Sequence, residues 1–239
     1  MTTNIFRNLM TAAATATALV SLAAPGQAAS LLPGEMFGSG GLKFVEDTNV
    51  KFTFVQSNGA FKSTLKLFEA GTGNTLAAVQ TLFVETKGSD NGYANGWLGT
   101  CGNTVLTCTS YYTFQANKTY TLGLDSGVNG IVYSTTALNN FAPGGTQQAV
   151  FNSFGSQGQP DTTPFPIGDS GQLQAGDPLA MVVKIGIDDR GNGNDKDFQD
   201  FTVTALGTRT AVPEPTTLAG LALSSLALAF SRRRRVAGV

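Results

Sequence analysis

An alternation of apolar and polar residues over residues 31–206 constrains this chain most strongly. No apolar pattern of period 3.6 persists there for three helical turns, whereas period-2 runs bounded by Gly, Asn, Asp and Pro recur, as in half-buried strands. The predicted strands are 50–56, 61–68, 75–85, 118–124, 130–135, 148–154, 179–187 and 201–206. Because eight or more strands in one stretch suit two packed sheets, we predict an all-β fold, a two-sheet sandwich of jelly-roll type.

The connections between these strands carry their own signals. Ser57-Asn58-Gly59 separates the first two strands and predicts a hairpin between them, since Asn-Gly favours the positive φ values of tight turns. Ala77-Ala78-Val79 would also suit a short helix, so the third strand has an alternative. Residues 155–177 are rich in Gly, Gln and Pro and predict a long surface loop.

The N-terminus predicts a secretory signal peptide over residues 1–28. Arg7 supplies a single positive charge, residues 9–24 form an apolar stretch, and Gly26 and Ala28 are small residues at the −3 and −1 positions for cleavage after Ala28. The alternative, a buried N-terminal helix, does not account for this order of features. We expect signal peptidase to process the chain during export.

The C-terminus, residues 212–239, carries a second targeting pattern. Pro213, Glu214 and Pro215 precede an uncharged apolar stretch, residues 216–230, and a cluster of four basic residues, Arg232, Arg233, Arg234 and Arg235. The two prolines hold Glu214 extended, which suits a peptide presented to a processing enzyme. This order of elements resembles the PEP-CTERM sorting signal of bacterial exosortase substrates.

The resemblance implies a route and a partner. It implies that an exosortase-type transpeptidase or protease recognises Pro213, Glu214 and Pro215 after the apolar transmembrane helix has entered the inner membrane, with the arginines on the cytoplasmic side. The destination it implies is the cell surface or extracellular matrix. The alternative is a permanent single-pass anchor, although 15 uncharged residues fall short of the ~20 of an untilted span.

Charge and composition exclude several function classes for the domain between these signals, residues 29–211. It contains ten Lys and Arg residues against fifteen Asp and Glu residues, a net charge of −5, so nucleic acid is not expected as a partner. The chain has no histidine, which removes Ser-His-Asp triads and Cys-His dyads. An enzyme would therefore have to use carboxylates, Lys, Tyr or Ser. Because the acidic residues crowd on one loop, which suits a cation better than a catalytic cleft, we predict that the protein is not an enzyme.

Cys101 and Cys108 are the only two cysteines. In an exported chain this pairing predicts a disulfide, which for so short a loop stabilises by roughly 2 to 3 kcal/mol in the chain-entropy model. Free or metal-bound thiols are the alternative, but two thiolates without histidine lack the four ligands of a structural zinc site.

An acidic segment between the last two predicted strands is the one constellation with binding chemistry. Five aspartates fall within thirteen positions, and glycines 191 and 193 let the backbone turn tightly enough for carbonyl groups to join a Ca²⁺ shell. The candidate ligands are Asp188, Asp189, Asn194, Asp195, Asp197 and Asp200. The alternative is that these side chains form turns and caps by accepting backbone N–H groups.

The end of this segment, residues 195–201, also resembles an acidic strand-loop-strand ending of exosortase-sorted and other bacterial surface proteins. Its pattern is Asp-x-Asp-aromatic-x-Asp, with Gln199 where the resembled segments usually have Asn. The spacing is not that of an EF-hand, because the Asp-x-Asp-x-Asp-Gly pattern with a Glu at the twelfth position is missing.

Taken together, these patterns predict an exported structural or adhesive protein of the envelope or exopolysaccharide, with calcium as its cofactor. A carbohydrate-binding module is the first alternative, with Trp97, Tyr111 and Tyr112 as a platform for sugar rings. The other interpretation is that these aromatic side chains fill the hydrophobic core. A glycoside hydrolase that pairs Asp188 or Asp189 with Asp197 or Asp200 is the second alternative.

Overall fold

The alternating segments form strands in the computed structural model, which describes residues 30–57, 59, 61–85, 108–140, 147–154, 174–190 and 198–210. The strands are β1 (Met36–Gly38), β2 (Gly41–Lys43), β3 (Thr48–Gln56), β4 (Thr64–Ala70), β5 (Leu76–Val84), β6 (Thr109–Phe114), β7 (Thr119–Asp125), β8 (Ile131–Tyr133), β9 (Ala149–Phe154), β10 (Val182–Ile187) and β11 (Phe201–Arg209). Short 3-10 turns lie at Thr72–Asn74, Gly127–Asn129 and Thr136–Leu138.

These strands pair into two antiparallel sheets. In the described residues one sheet has the order β1-β2-β7-β4-β5, with β8 on β7, and the other has the order β6-β3-β11-β10-β9. The predicted all-β fold with two sheets is confirmed, and the jelly-roll type of connection stays a prediction. The signal helix and the C-terminal helix lie outside the described residues.

One hydrophobic core joins the two sheets, because the alternation turns the apolar side chains of both toward each other. Ring contacts cross between the sheets: Phe54 of β3 lies 5.9 Å from Phe83 of β5, and Phe114 of β6 lies 5.0 Å from Tyr120 of β7. Both contacts have the edge-to-face geometry that aromatic pairs favour. The core therefore fixes which residues at the strand ends face outward.

The predicted hairpin through residues 57–59 is wrong. Strand β3 pairs with β6 and β11 in one sheet, whereas β4 pairs with β5 and β7 in the other, so the chain crosses between the sheets after β3 and before β4. Alternation specifies a strand and its buried face but not its partner, and both sheets offer the same core. The backbone N–H of Gly59 donates to the carbonyl of Asp200, which holds the crossover against the start of β11.

All eight predicted strands are confirmed, with bounds that differ by a few residues. The segment that also suited a helix is strand β5. Three strands were not predicted: β1 and β2 are three residues long, too short for alternation to register, and β6 lies within the aromatic segment after Cys108. Among the described residues no helix is long and apolar enough to cross a membrane.

Candidate metal centre

The acidic residues that follow β10 and precede β11 meet at one end of the second sheet. Asp188 and Asp189 directly follow β10, and Asp200 directly precedes β11, so the antiparallel pairing of the two strands brings them together. All three are buried, and one carboxylate oxygen of each lies within 4.8 Å of the others. The structure thus assembles three of the six predicted ligands.

Backbone N–H groups orient the three carboxylates. The N–H of Asp189 donates to Oδ2 of Asp200 at 2.9 Å, and the N–H of Phe61 donates to Oδ2 of Asp189 at 3.1 Å. Oδ1 of Asp188 accepts the N–H of Arg190 at 2.6 Å, which closes a tight turn with Arg190 at φ 64°. These hydrogen bonds fix the direction of each carboxylate relative to the backbone.

The crossover between the sheets forms one wall of the site at Gly59. A methyl group at this position would overlap Oδ2 of Asp189 and would lie 3.0 Å from Cβ of Asp200. Only glycine lets the backbone approach the carboxylates this closely. Gly59, part of the Asn-Gly pair that predicted a hairpin turn, therefore allows close packing against the acidic residues.

Phe198 anchors the return of the acidic segment to the sheet. It is fully buried with Val150 in a small cluster separate from the main core, two residues before Asp200. Val150 lies between Ala149 and Phe151, which face the main core, so this cluster lies on the outer side of the second sheet. The aromatic residue of the Asp-x-Asp-aromatic-x-Asp pattern thus positions Asp200.

Gln148 is a neighbour of the site that the sequence analysis missed. The N–H of Asp188 donates to its backbone carbonyl at 3.1 Å, which extends the pairing of β9 and β10 by one position. Gln148 is fully buried, and neither polar atom of its side chain has a hydrogen-bond partner among the described residues. A single glutamine at the start of a strand is not part of a sequence motif, and only the register of β9 against β10 brings Gln148 near Asp188. The sequence therefore contains no signal for it.

The remaining predicted ligands, Asn194, Asp195 and Asp197, lie outside the described residues. The three aspartates that the structure describes form an oxygen-only set with like charges in a buried place. This donor set suits a hard cation such as Ca²⁺, which takes six to eight oxygen ligands from carboxylates, carbonyls and waters.

The predicted aromatic platform is not brought together on one face. Tyr111 and Tyr112 are consecutive in β6, so their side chains point to opposite sides of the sheet. Tyr111 is 54 % exposed, whereas Tyr112 packs against the core, with its ring 5.6 Å from that of Tyr120. Burial and a hydrogen bond with Tyr120 raise the pKa of Tyr112. Trp97 lies outside the described residues.

Cys108 lies just before β6, half buried against the core. No cysteine is free among the described residues. Cys101, the predicted disulfide partner of Cys108, lies outside the described residues, so the disulfide stays a prediction.

Comparison with known proteins addresses the C-terminal signal. Residues 211–235 match the PEP-CTERM protein-sorting motif, a range that contains Pro213, Glu214, Pro215 and the four arginines. The chain is therefore an exported protein of the exosortase route, anchored transiently in the membrane. No curated protein and no solved structure matches the chain.

Proposed function

Because the chain carries an exosortase sorting signal, we propose that it is a structural or adhesive protein of the cell surface or exopolysaccharide matrix, whose β-domain is stabilised by calcium. The observation that carries the calcium proposal is the convergence of Asp188, Asp189 and Asp200 in a buried place. A protein that works outside the cell meets more free calcium than one in the cytosol, and a net charge of −5 over residues 29–211 attracts divalent cations.

Electrostatics supports a bound cation in preference to a set of turn-forming aspartates. Asp188 closes a turn with the N–H of Arg190, but a turn needs a single carboxylate, whereas here three lie together with relative exposures of 0 %, 1 % and 7 %. The repulsion between like charges grows as water is removed, and a divalent ion at their centre would offset it by attracting all three carboxylates. Asn194, Asp195 and Asp197 would add oxygen ligands from the following loop.

Hydrolysis is the less favoured function for these carboxylates. A glycosidase holds two carboxyl groups on either side of a sugar in an open cleft. Asp188, Asp189 and Asp200 instead lie within 4.8 Å of one another and are buried, whereas a glycosidase exposes its carboxyl groups to the substrate. Carbohydrate binding by the aromatic platform is also less favoured, because Tyr112 belongs to the core edge.

A thermal-unfolding experiment tests the calcium proposal. The melting temperature of the protein should rise on adding Ca²⁺ to chelator-treated samples, because only the folded state holds the assembled ligands. Asp188→Asn keeps the shape of the side chain and removes one charge, so it should abolish most of this rise, as should Asp195→Ala. Equal melting of the wild-type protein with and without chelator would contradict the proposal.

Two further experiments separate the remaining alternatives. Mass spectrometry of the surface-associated protein should find no peptide beyond Pro215 if an exosortase-type enzyme removes the tail, and tail peptides in that fraction would indicate a retained anchor.

A glycan array comparing the parent with Trp97→Ala tests the carbohydrate-binding alternative. Glycan binding that depends on Trp97 would favour that alternative over a purely structural role.

A further inference from the structure

We propose that the side-chain amide of Gln148 is a further ligand of the cation at Asp188, Asp189 and Asp200, with Oε1 directed at the metal. This inference rests on the proposed calcium function and adds to it a neutral ligand from a third strand, β9. It defines a site built from three adjacent strand ends and not from the acidic loop alone.

Strand register places Gln148 beside the carboxylates. In the ladder of β9 and β10, Ile187 pairs with Ala149, and the hydrogen bond from Asp188 to Gln148 continues it by one step. In the ladder of β10 and β11, Ile187 pairs with Phe201, so the next step sets Asp188 opposite Asp200. Directly opposed residues of antiparallel strands project to the same face, with Cβ atoms about 5 Å apart.

Gln148, Asp188 and Asp200 therefore form one row across the ends of three strands. The row faces away from the main core, because Ala149, Ile187 and Phe201, the next residues inward, all belong to that core. Asp189 joins the row through its N–H bond to Oδ2 of Asp200. The amide is thus the neighbour of Asp188 on the side opposite to Asp200.

The burial of Gln148 is the independent observation that points to a ligand. Its relative exposure is 0 %, and both Oε1 and Nε2 are buried without a hydrogen-bond partner among the described residues. A buried polar group in this condition is costly, and proteins retain it where something binds it. Amide carbonyl oxygens are common Ca²⁺ ligands, so a cation beside the aspartates would satisfy Oε1.

A buried water is the competing explanation, since ordered waters also satisfy buried amides. The two explanations predict different effects of removing the amide on calcium affinity. If Oε1 binds the ion, removing the amide weakens calcium binding and relieves an unsatisfied group in the calcium-free protein. If water satisfies the amide, removing the amide changes the stability of the calcium-free and calcium-bound proteins alike.

Calorimetric titration of CaCl₂ into the chelator-treated full chain, with melting curves of both forms, tests the proposal on Gln148→Leu. We expect calcium affinity to fall at least about tenfold, the loss typical of disturbing groups around a metal. The calcium-free variant should melt no lower than the wild type, because leucine replaces an unsatisfied amide of similar size. Gln147→Leu is the matched control, since Nε2 of Gln147 donates to the carbonyl of Ala149. The calcium affinity of this variant should equal that of the wild type.

Gln148→Glu provides a second readout if the leucine variant does not fold. A fourth carboxylate should tighten calcium binding and lower the melting temperature of the calcium-free protein through added repulsion. Unchanged calcium affinity in Gln148→Leu, or in Gln148→Glu, would overturn the assignment of Gln148 while leaving the aspartate site in place. Absence of calcium binding by the wild type would overturn the proposed function itself.

Discussion

Strand β11 has buried carboxylates at both of its ends, and the two ends accommodate them differently. At its last residue, Arg209 forms an ion pair with Glu35 at 2.8 Å, and the fully buried Glu35 carboxylate also accepts the N–H groups of Leu32 and Val45. Just before its first residue, Asp200 converges with Asp188 and Asp189. The first end pairs its carboxylate with an arginine of the chain, whereas the second brings three carboxylates within 4.8 Å of one another, and the proposed calcium site rests on that convergence.

The pKa of Glu35 shows that the Arg209 end stabilises its buried carboxylate in the charged form. Burial alone would raise the pKa of Glu35, but the hydrogen bonds from Arg209 and from the backbone N–H groups of Leu32 and Val45 outweigh it and lower the pKa below 4.5. The same contact raises the pKa of Arg209. We therefore expect the Arg209 end to be independent of calcium and the Asp200 end to depend on it.

The largest effect that separates the two ends is expected from Arg209→Met. Removing one partner of a buried ion pair leaves the other charge buried, which costs about 3 to 5 kcal/mol of unfolding free energy. Urea unfolding at pH 7 should show the same loss with calcium and with chelator. Lys118→Met, which breaks an ion pair with Glu69 between partly exposed side chains, is the control and should cost less than about 1 kcal/mol. A calcium-dependent loss in Arg209→Met would mean that the two ends are coupled.

A smaller effect, confined to the Asp200 end, is expected from Gly59→Ala. The added methyl group overlaps Oδ2 of Asp189 and should cost about 1 to 3 kcal/mol by overpacking. It should also reduce the calcium-induced rise in melting temperature, because Asp189 has to move. Gly40→Ala is the matched control, since the nearest atom to its new Cβ is Sδ of Met36 at 3.9 Å. Full calcium stabilisation in Gly59→Ala would show that Asp189 is not a ligand.

The smallest effect is the pH dependence of the Arg209 end. A lowered pKa of Glu35 means that its contribution is fully present above the pKa of the unfolded chain and is lost as the pH falls through the folded value. The stability difference between wild type and Glu35→Gln should therefore be largest near pH 7 and shrink as the pH falls below about 4, where a glutamate of the unfolded chain takes up its proton. Unfolding curves from pH 7 to pH 3 measure it, and a constant difference would contradict this account of Glu35.

The sequence was informative wherever a local pattern determines the outcome. Alternation predicted eight strands, and the crowding of acids after β10 predicted that Asp188, Asp189 and Asp200 lie close together. What it missed depends on long-range pairing. The chain crosses between the sheets after β3 because β3 and β4 pair with different partners, and Gln148 reaches the acidic site only through the register of β9. Neither fact has a local signature, since a period of two is the same in either sheet.

The most direct test of the calcium site is anomalous X-ray scattering from crystals of the protein grown with CaCl₂ and measured at long wavelength. The account predicts one anomalous peak about 2.3 to 2.6 Å from carboxylate oxygens of Asp188, Asp189 and Asp200, the usual Ca²⁺–oxygen distance. Well-ordered carboxylates at this place without such a peak would contradict it.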